Sequence, residues 1–136
     1  MQRELVIRGI VESPLGRLLG LTADRIERDD VRVRLPYRDE VTTVGDLVHG
    51  GAISALVDTA ATAVAWTGVD EPAEARGTTV GFSINFLTGA RGDDIVAHAR
   101  TIRRGRSLTI IEVDVAADDD TAVAKALVTY KLDQPG

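Results

Sequence analysis

Residues 49–66, HGGAISALVDTAATAVAW, decide the fold of this chain. From Gly50 to Trp66 the segment is typical of one helix that is apolar on nearly all sides, and such a helix is buried rather than laid on a surface. Asp58 is its only ionisable side chain. Because burying a carboxylate is costly unless it is paired or used, Asp58 is the first candidate for chemistry.

The composition is that of an ordinary globular protein. The chain has 136 residues, 44% hydrophobic and 27% charged, and we expect a single domain over residues 1–136. The formal net charge of −5 argues against binding to nucleic acid or to an anionic membrane, since both require a basic field. The absence of cysteine excludes disulfides, thiolate metal sites and cysteine catalysis. No apolar run has signal-peptide or membrane-spanning length, so we expect a cytoplasmic protein.

Short elements precede the central helix. The pair Ser13-Pro14 is typical of a helix start, and we expect a short helix over residues 14–19. Two short strands are expected over residues 21–27 and 31–35, joined by a turn at Asp29-Asp30.

After the central helix the hydrophobic pattern changes to period two, which is typical of strands. We expect a four-strand meander over residues 79–86, 95–103, 108–116 and 122–131. In the first of these strands, alternate apolar residues form the face toward the core: Val80, Phe82, Ile84 and Phe86. Thr79 begins the opposite face. A sheet with one apolar face and a helix with no polar face are natural partners. We therefore expect an α+β domain in which an antiparallel sheet of five to six strands wraps around one long central helix.

The tripeptide His49-Gly50-Gly51, with Asp58 nine residues after the histidine, resembles the motif of the hotdog-fold acyl-CoA thioesterases, in particular their PaaI-like branch. The resemblance runs from Leu35 to Tyr130 and includes residues 77–86 and 105–108. It implies a hotdog fold, a homodimer or homotetramer, and hydrolysis of an acyl-CoA to a free carboxylic acid and coenzyme A. No cofactor is implied beyond the coenzyme A of the substrate.

One position departs from the family pattern. The family usually has asparagine six residues before the histidine, where it helps to position the attacking water or the substrate carbonyl, and this chain has Thr43. A threonine hydroxyl donates and accepts a hydrogen bond, but it is shorter and lacks the amide pair. Thr43 motivates an alternative function, a non-catalytic acyl-CoA-binding or assembly module on the same scaffold. A hotdog hydratase is a weaker rival, because that branch has a catalytic histidine where this chain has Ala63.

The start of the central helix is a candidate oxyanion site. Unpaired backbone N–H groups and the positive end of the helix dipole suit the negative charge that develops on a thioester carbonyl. Gly50 and Gly51 permit close approach because neither has a side chain. The resemblance implies that the Gly50 N–H polarises the carbonyl and that His49 shapes the entrance. The alternative is that the two glycines merely allow a tight turn from loop to helix.

Asp58 is expected either to attack the thioester carbonyl or to act as general base on a water molecule, and the sequence leaves both roles open. Ser54 and Thr62 lie four residues to either side on the same helix face. Their hydroxyls either orient the carboxylate for catalysis or only supply the hydrogen bonds that a buried carboxylate needs. A structural buried acid is the alternative. Thr79 is at a position where relatives carry serine or threonine near the acid, and it either helps to place water or is a surface threonine of a strand.

The spacing of the two candidate groups predicts a dimer. Asp58 lies eight residues beyond Gly50, about 12 Å along a helix axis, so one thioester group cannot contact both. If two subunits place their helices side by side and antiparallel, each helix start faces Asp58 of the other subunit. Two equivalent sites then form across a twofold interface, and the choice between dimer and tetramer stays open.

A basic segment is the candidate for holding the phosphates of coenzyme A. Arginine binds phosphate well through bidentate contacts, and coenzyme A carries a 3′-phosphate and a pyrophosphate. The candidate residues are Arg103, Arg104, Gly105, Arg106 and Ser107, with Arg100 nearby. The alternative is a solvated turn that balances Asp93 and Asp94. No metal site is expected, since His98 has no second histidine near it.

Overall fold

The computed structural model describes residues 2–134, and the side chains of residues 3–134. Its elements in chain order are α1 (Gln2–Val11), α2 (Pro14–Leu19), β1 (Thr22–Glu27), β2 (Asp30–Leu35), α3 (Gly50–Trp66), β3 (Arg76–Phe86), β4 (Ile95–Arg104), β5 (Leu108–Ala117) and β6 (Ala122–Asp133). Short 3₁₀ turns at Asp39–Val41 and Pro72–Glu74 lie on either side of α3.

The central helix α3 has the bounds expected from the sequence, and it is the core of the fold. Eight of its side chains are buried, and they lie on more than one side of the helix: Ile53, Leu56, Val57, Ala60, Ala61, Ala63, Val64 and Ala65. A helix buried in this way must be enclosed by other elements. Strands β2, β4, β5 and β6 contact it from one side, and α1 contacts it from another.

The six strands form one antiparallel sheet in the order β1-β2-β4-β5-β6-β3. This confirms the α+β class and the hotdog arrangement, with six strands around one long helix. The expected meander is correct for β4, β5 and β6 but wrong for β3, which pairs with β6 rather than with β4. Since β2 occupies the position beside β4, β3 lies at the far edge of the sheet.

The sheet strands alternate as the period-two pattern predicts. On β4 and β5, residues that face α3 are buried, and their neighbours face outward. The inward set includes Ile95, Ala97, Ala99, Ile111, Val113 and Val115, all at most 1% exposed. These residues and those of α3 belong to one hydrophobic cluster.

The β1–β2 turn differs by one residue from the expectation. Glu27 pairs with Asp30, so the two loop residues are Arg28 and Asp29 rather than Asp29-Asp30. Asp29 has φ +61°, the left-handed conformation that aspartate tolerates better than most residues. This turn brings Asp29 close to the end of α3, where its N–H donates to Thr67 Oγ1 at 2.9 Å.

Helix α1 is not among the expected elements. Ile7 and Val11, four residues apart on one face, are both fully buried, while Arg8 and Glu4 form an exposed ion pair of 3.1 Å on the other. The apolar spacing at residues 6, 7, 10 and 11 is a helix signal that could have identified it. Between residues 2 and 134, no helix combines the length and the hydropathy needed to span a membrane.

Candidate active site

The start of α3 is capped by a histidine side chain. His49 Nδ1 accepts a hydrogen bond of 2.7 Å from the Gly51 N–H, so the imidazole occupies one of the unpaired donors of the helix start. A Cβ on Gly51 would lie 2.9 Å from that nitrogen, which explains the glycine. Of the two glycine N–H groups, that of Gly51 is therefore engaged by His49, and the N–H that stays available at the helix start is that of Gly50. Its N–H donates no hydrogen bond within the described part of the chain.

A hollow of about 270 Å³ opens beside Gly50. Thr43 lines it, as the family position of this residue implies, and so do Leu47 and Phe86. The Phe86 ring lies 3.4 Å from the point where a Cβ of Gly50 would stand. A small residue at position 50 thus lets an aromatic ring and the backbone donor share one hollow.

The carboxylate of Asp58 has one side-chain partner in the structure. Thr79 Oγ1 donates a hydrogen bond of 2.7 Å to Asp58 Oδ1, and Asp58 itself is half-buried. Ser54, expected to orient or satisfy the carboxylate, instead donates to the Gly50 carbonyl at 2.9 Å. The residue that holds Asp58 therefore comes from the sheet and not from its own helix.

Thr79 reaches Asp58 because of a β-bulge in β3. Thr79 pairs with Tyr130, whereas Gly81 pairs with Thr129, so Val80 is an extra residue in the ladder. The bulge turns Thr79 to the face that carries Phe82, the face toward α3. The expectation that Thr79 lies on the opposite, non-core face is wrong, because strict alternation assumes a ladder without an inserted residue.

A second hydrogen-bonded pair lies next to the carboxylate. Trp66 Nε1 donates to the Tyr130 hydroxyl at 2.9 Å. Burial raises the pKa of the Tyr130 phenol, and the negative charge of Asp58 raises it further, against the lowering effect of the Trp66 hydrogen bond. No local sequence signal identifies this pair, because Trp66 and Tyr130 are 64 residues apart in the chain.

The arginines of the β4–β5 hairpin divide into two kinds. The Arg104 guanidinium donates to the Val64 and Ala65 carbonyls, both at 3.0 Å, and forms an ion pair of 2.8 Å with Asp29. It thus satisfies the last carbonyls of α3 at the negative end of the helix dipole. A Cβ on Gly68 would lie 2.4 Å from Arg104 Cζ, so this glycine makes room for the guanidinium.

Arg103 and Arg106 are exposed, and among the described residues neither forms an ion pair. Gly105 closes the turn by donating to the Leu108 carbonyl at 2.8 Å, and the Ser107 carbonyl accepts from Leu132 at 2.7 Å. Outside the turn, Arg100 pairs with Glu112 at 2.8 Å and with Asp114. The two cations left free for a ligand are therefore Arg103 and Arg106, while Arg104 and Arg100 are engaged within the chain.

The edge strand β3 leaves a long surface beside Asp58. It pairs with β6 on one side and with no strand of residues 2–134 on the other. Val80 is 60% exposed, Phe82 38% and Phe86 52%. An edge of this length with exposed apolar side chains is uncommon on a monomer and is typical of strand pairing with another chain. The described residues bring no three His, Asp or Glu side chains together as a metal site.

A sequence model of the thioesterase superfamily matches residues 45–124, more than half of the chain. The chain belongs to the thioesterase superfamily. The matched segment contains Gly50, Asp58 and Thr79, the residues at the start of α3, in its middle and on β3. Membership supports thioester hydrolysis, in general terms, as the chemistry of this protein.

Two curated relatives are similar over most of the chain. A Halobacterium salinarum protein with a provisional esterase name is 31% identical over 110 residues, which cover 79% of this chain and 72% of that protein. The medium/long-chain acyl-CoA thioesterase YigI of Escherichia coli is 24% identical over 138 residues, covering 90% of this chain and 88% of YigI.

Solved structures share the fold along nearly the whole chain. A thioesterase family protein from Silicibacter pomeroyi is 27% identical with a TM-score of 0.88, covering 98% of this chain and 99% of that one. The PaaI protein of the E. coli phenylacetic acid degradation operon is 17% identical with a TM-score of 0.84, covering 99% and 94%. A hypothetical thioesterase protein from Streptococcus pneumoniae, solved with coenzyme A, is 22% identical with a TM-score of 0.73, covering 84% of this chain and 86% of that one. The resemblance to the PaaI-like hotdog thioesterases is confirmed.

Proposed function

We propose that this protein hydrolyses acyl-CoA thioesters to a free carboxylic acid and coenzyme A, at a site formed by two copies of the chain. The observation that carries the proposal is the Asp58 carboxylate, held by Thr79 on the helix face beside the open edge of β3. The names of YigI and of the coenzyme A-bound neighbour support acyl-CoA as the substrate class.

The two chemical groups of the site lie too far apart for one chain to use them together. The Gly50 N–H and the Asp58 carboxylate are eight residues apart on one helix, about 12 Å along its axis. Pairing of β3 with β3 of a second copy extends the sheet and lays the two α3 helices side by side and antiparallel. Gly50 of each copy then faces Asp58 of the other.

The chemistry follows from these positions. The Gly50 N–H donates to the thioester carbonyl oxygen and stabilises the oxyanion. Asp58 takes a proton from water, the water oxygen attacks the carbonyl carbon, and the C–S bond breaks as the proton passes to the thiolate of coenzyme A. Direct attack by Asp58 would form a mixed anhydride that water then hydrolyses. A single turnover in H₂¹⁸O tests for direct attack: ¹⁸O in the Asp58 carboxylate establishes an anhydride that water hydrolyses at the Asp58 carbonyl carbon, whereas general-base catalysis puts ¹⁸O only in the product acid.

The nucleotide end of the substrate needs cations at the rim of this site. Arg103 and Arg106 are exposed and free, on a turn shaped by Gly105 and Ser107. We assign the coenzyme A phosphates to these two arginines. Arg104 instead stabilises the fold, because its guanidinium donates hydrogen bonds to the last carbonyls of α3.

Release of free coenzyme A thiol from a panel of acyl-CoAs tests the activity. The Asp58→Asn variant should keep its melting temperature and lose at least about a hundredfold in kcat, the scale of a catalytic acid-base group. Wild-type turnover by this variant with every substrate would exclude Asp58 from catalysis.

A mixing experiment tests the shared site. Asp58→Asn and Gly50→Pro variants are each expected to be inactive. In a mixed dimer one site carries both substitutions and the other carries none, so random mixing should restore about a quarter of the wild-type activity. If each chain contained a complete site of its own, mixing two inactive variants would restore nothing.

Thr43 favours a second function, acyl-CoA binding without turnover. It lines the hollow at Gly50 where the family usually places an asparagine. Calorimetry with a thioether analogue of an acyl-CoA separates the two functions. Tight binding together with no detectable hydrolysis of any acyl-CoA would establish the binding module and refute the hydrolase.

A further inference from the structure

We propose that an apolar groove along the second half of α3, open to solvent on one side and called the chamber below, receives the acyl group, and that it selects unbranched aliphatic chains of medium length. The inference rests on the proposed function, because it places the substrate relative to Asp58. The chamber has a volume of about 550 Å³ and is lined by Val6, Ile10, Thr62, Trp66, Pro72, Ala73 and Tyr130. This volume lies within the range of about 300–1,000 Å³ that is usual for small-molecule sites.

The chamber follows directly from the candidate catalytic group. Asp58, Thr62 and Trp66 are spaced by four residues and therefore lie on one face of α3. Thr62 is about 6 Å and Trp66 about 12 Å beyond Asp58 along the helix axis. An acyl chain whose carbonyl is next to Asp58 runs along this face, past Thr62 and toward Trp66.

The opposite wall comes from elements outside the sheet. Val6 and Ile10 face the chamber from α1, one turn apart, while Pro72 and Ala73 close it from the 3₁₀ turn after α3. All four side chains are hydrocarbon. Helix α1 therefore has two roles: it covers the core, and it forms one apolar wall of the chamber.

The polar atoms at the far end of the chamber are paired with each other. Trp66 donates to the Tyr130 hydroxyl, and the raised pKa of Tyr130 keeps that phenol neutral. Gly77 makes room for the ring, since a Cβ there would lie 2.6 Å from the hydroxyl oxygen. A charged or strongly polar acyl group entering here would lose its hydration without gaining a charged partner.

Chain length decides how much of the chamber is used. An acetyl group ends before Thr62, and a phenylacetyl ring ends before Trp66. A straight chain of about the octanoyl length passes Thr62 and reaches Trp66, whose Cα lies about 12 Å beyond that of Asp58 along the helix axis, and it contacts all the apolar walls. Because burial of each methylene group is favourable, binding should rise with length until the chain meets that pair.

Two measurements test the chamber, and one does not need turnover. Hydrolysis is measured with acetyl-, butanoyl-, octanoyl-, palmitoyl- and phenylacetyl-CoA, and calorimetry is carried out with the ethyl and octyl thioethers of coenzyme A. We expect kcat/KM for octanoyl-CoA at least about tenfold above acetyl- and phenylacetyl-CoA, and the octyl thioether at least about tenfold tighter than the ethyl one. Equal binding of the two thioethers, or a preference for phenylacetyl-CoA, overturns the inference. Chain-length-dependent binding without hydrolysis supports the chamber while refuting the hydrolase.

Substitutions on the exposed wall sharpen the test without touching the core. Ala73 is exposed, so Ala73→Phe can fill the chamber with the fold intact, and Ala73→Ser is its matched control. We expect Ala73→Phe to weaken the octyl thioether at least about tenfold and to leave the ethyl thioether within about twofold. Val6→Ala should shift the optimum to longer acyl chains, whereas Leu5→Ala, at a residue that is 66% exposed and outside the chamber, should not. An unchanged length profile in both Ala73→Phe and Val6→Ala contradicts the chamber.

Discussion

Thr79 donates a hydrogen bond of 2.7 Å to Asp58, a residue 21 positions earlier in the chain. The bond joins the edge strand β3 to the central helix α3 at the carboxylate proposed for catalysis. It occupies Oδ1 and so restricts the rotation of the carboxyl group, which leaves Oδ2 free to accept a proton or to attack. Orientation of this kind is a condition for efficient acid-base chemistry.

We expect Thr79→Val to lower kcat about ten- to hundredfold with little change in KM, since it removes one hydrogen bond to a charged group. Thr79→Ser keeps the hydroxyl and should retain most of the activity. Steady-state kinetics on both variants, with melting temperatures as a check on folding, provide the test. Equal activity of the valine and serine variants would show that the hydroxyl has no part in turnover.

The Gly50 N–H can be removed without breaking the helix. Proline is well tolerated at the first position of a helix, and His49 already has the extended conformation, φ −65° and ψ 132°, that a residue before proline prefers. We expect Gly50→Pro to lower kcat about a hundredfold or more, the scale of one oxyanion donor. Gly50→Ala keeps the N–H while adding a methyl group in ordinary contact with Phe86, and it is the control. If proline were no worse than alanine, the donor would lie elsewhere.

Arg104 and Arg103 are adjacent in sequence but should behave in opposite ways. Arg104→Met removes the hydrogen bonds to the end of α3, so we expect the free energy of unfolding to fall by about 1–3 kcal/mol. Arg103→Met should leave stability unchanged and raise KM for acyl-CoA, as should Arg106→Met. Chemical denaturation and kinetics on all three variants distinguish the two roles. A stable Arg104→Met protein with a raised KM would instead place Arg104 among the phosphate ligands.

A charge cluster on the outer face of the sheet should make the free energy of unfolding depend on pH in the acid range. Hydrogen bonds from Lys125 and Arg100 lower the pKa of Glu112. Burial would raise the pKa of Asp114, but the same two cations lower it overall. The contribution of these ion pairs to the free energy of unfolding should therefore be complete above the ordinary carboxylate pKa, which is 4.5 for glutamate. It should be lost as the pH falls through the lowered pKa values of the native state.

Lys125→Met tests this effect directly. We expect it to reduce the free energy of unfolding at pH 7 by less than about 1 kcal/mol, because the groups are partly exposed. The difference from wild type should shrink as the pH falls below 4.5 and the two carboxylates become protonated. Lys131→Met, at a 50% exposed lysine, is the control and should differ little from wild type at any pH. A difference for Lys125→Met that stays constant from pH 7 to pH 3 would contradict the expected linkage.

The helix and its polar residues were predictable because their signals are local. The bounds of α3, its burial and the position of Asp58 follow from a continuous stretch of 17 residues. The capping role of His49 has no comparable signal, since histidine is not among the residues usually found at a helix start. The hydrogen bond to Gly51 is therefore a feature of the tertiary structure that the sequence does not signal.

The arginines show a different limit. Four arginines within seven residues, 100–106, are alike in sequence, yet two are engaged within the chain. Arg104 is bound because the β1–β2 turn brings Asp29 to the end of α3, and Arg100 is bound because β5 places Glu112 opposite it. Which cations are free for a ligand depends on partners that are distant in sequence.

The sequence by itself determined the buried helix, its single acid, the glycines at its start and the periodicity of the strands. Each of these depends on side chains within a few residues of one another. Only the tertiary structure decided that β3 lies at the sheet edge beside β6 and that a bulge at Val80 turns Thr79 toward Asp58. Strand order and bulges arise from hydrogen bonding between distant segments, and one inserted residue reverses the face of every residue beyond it.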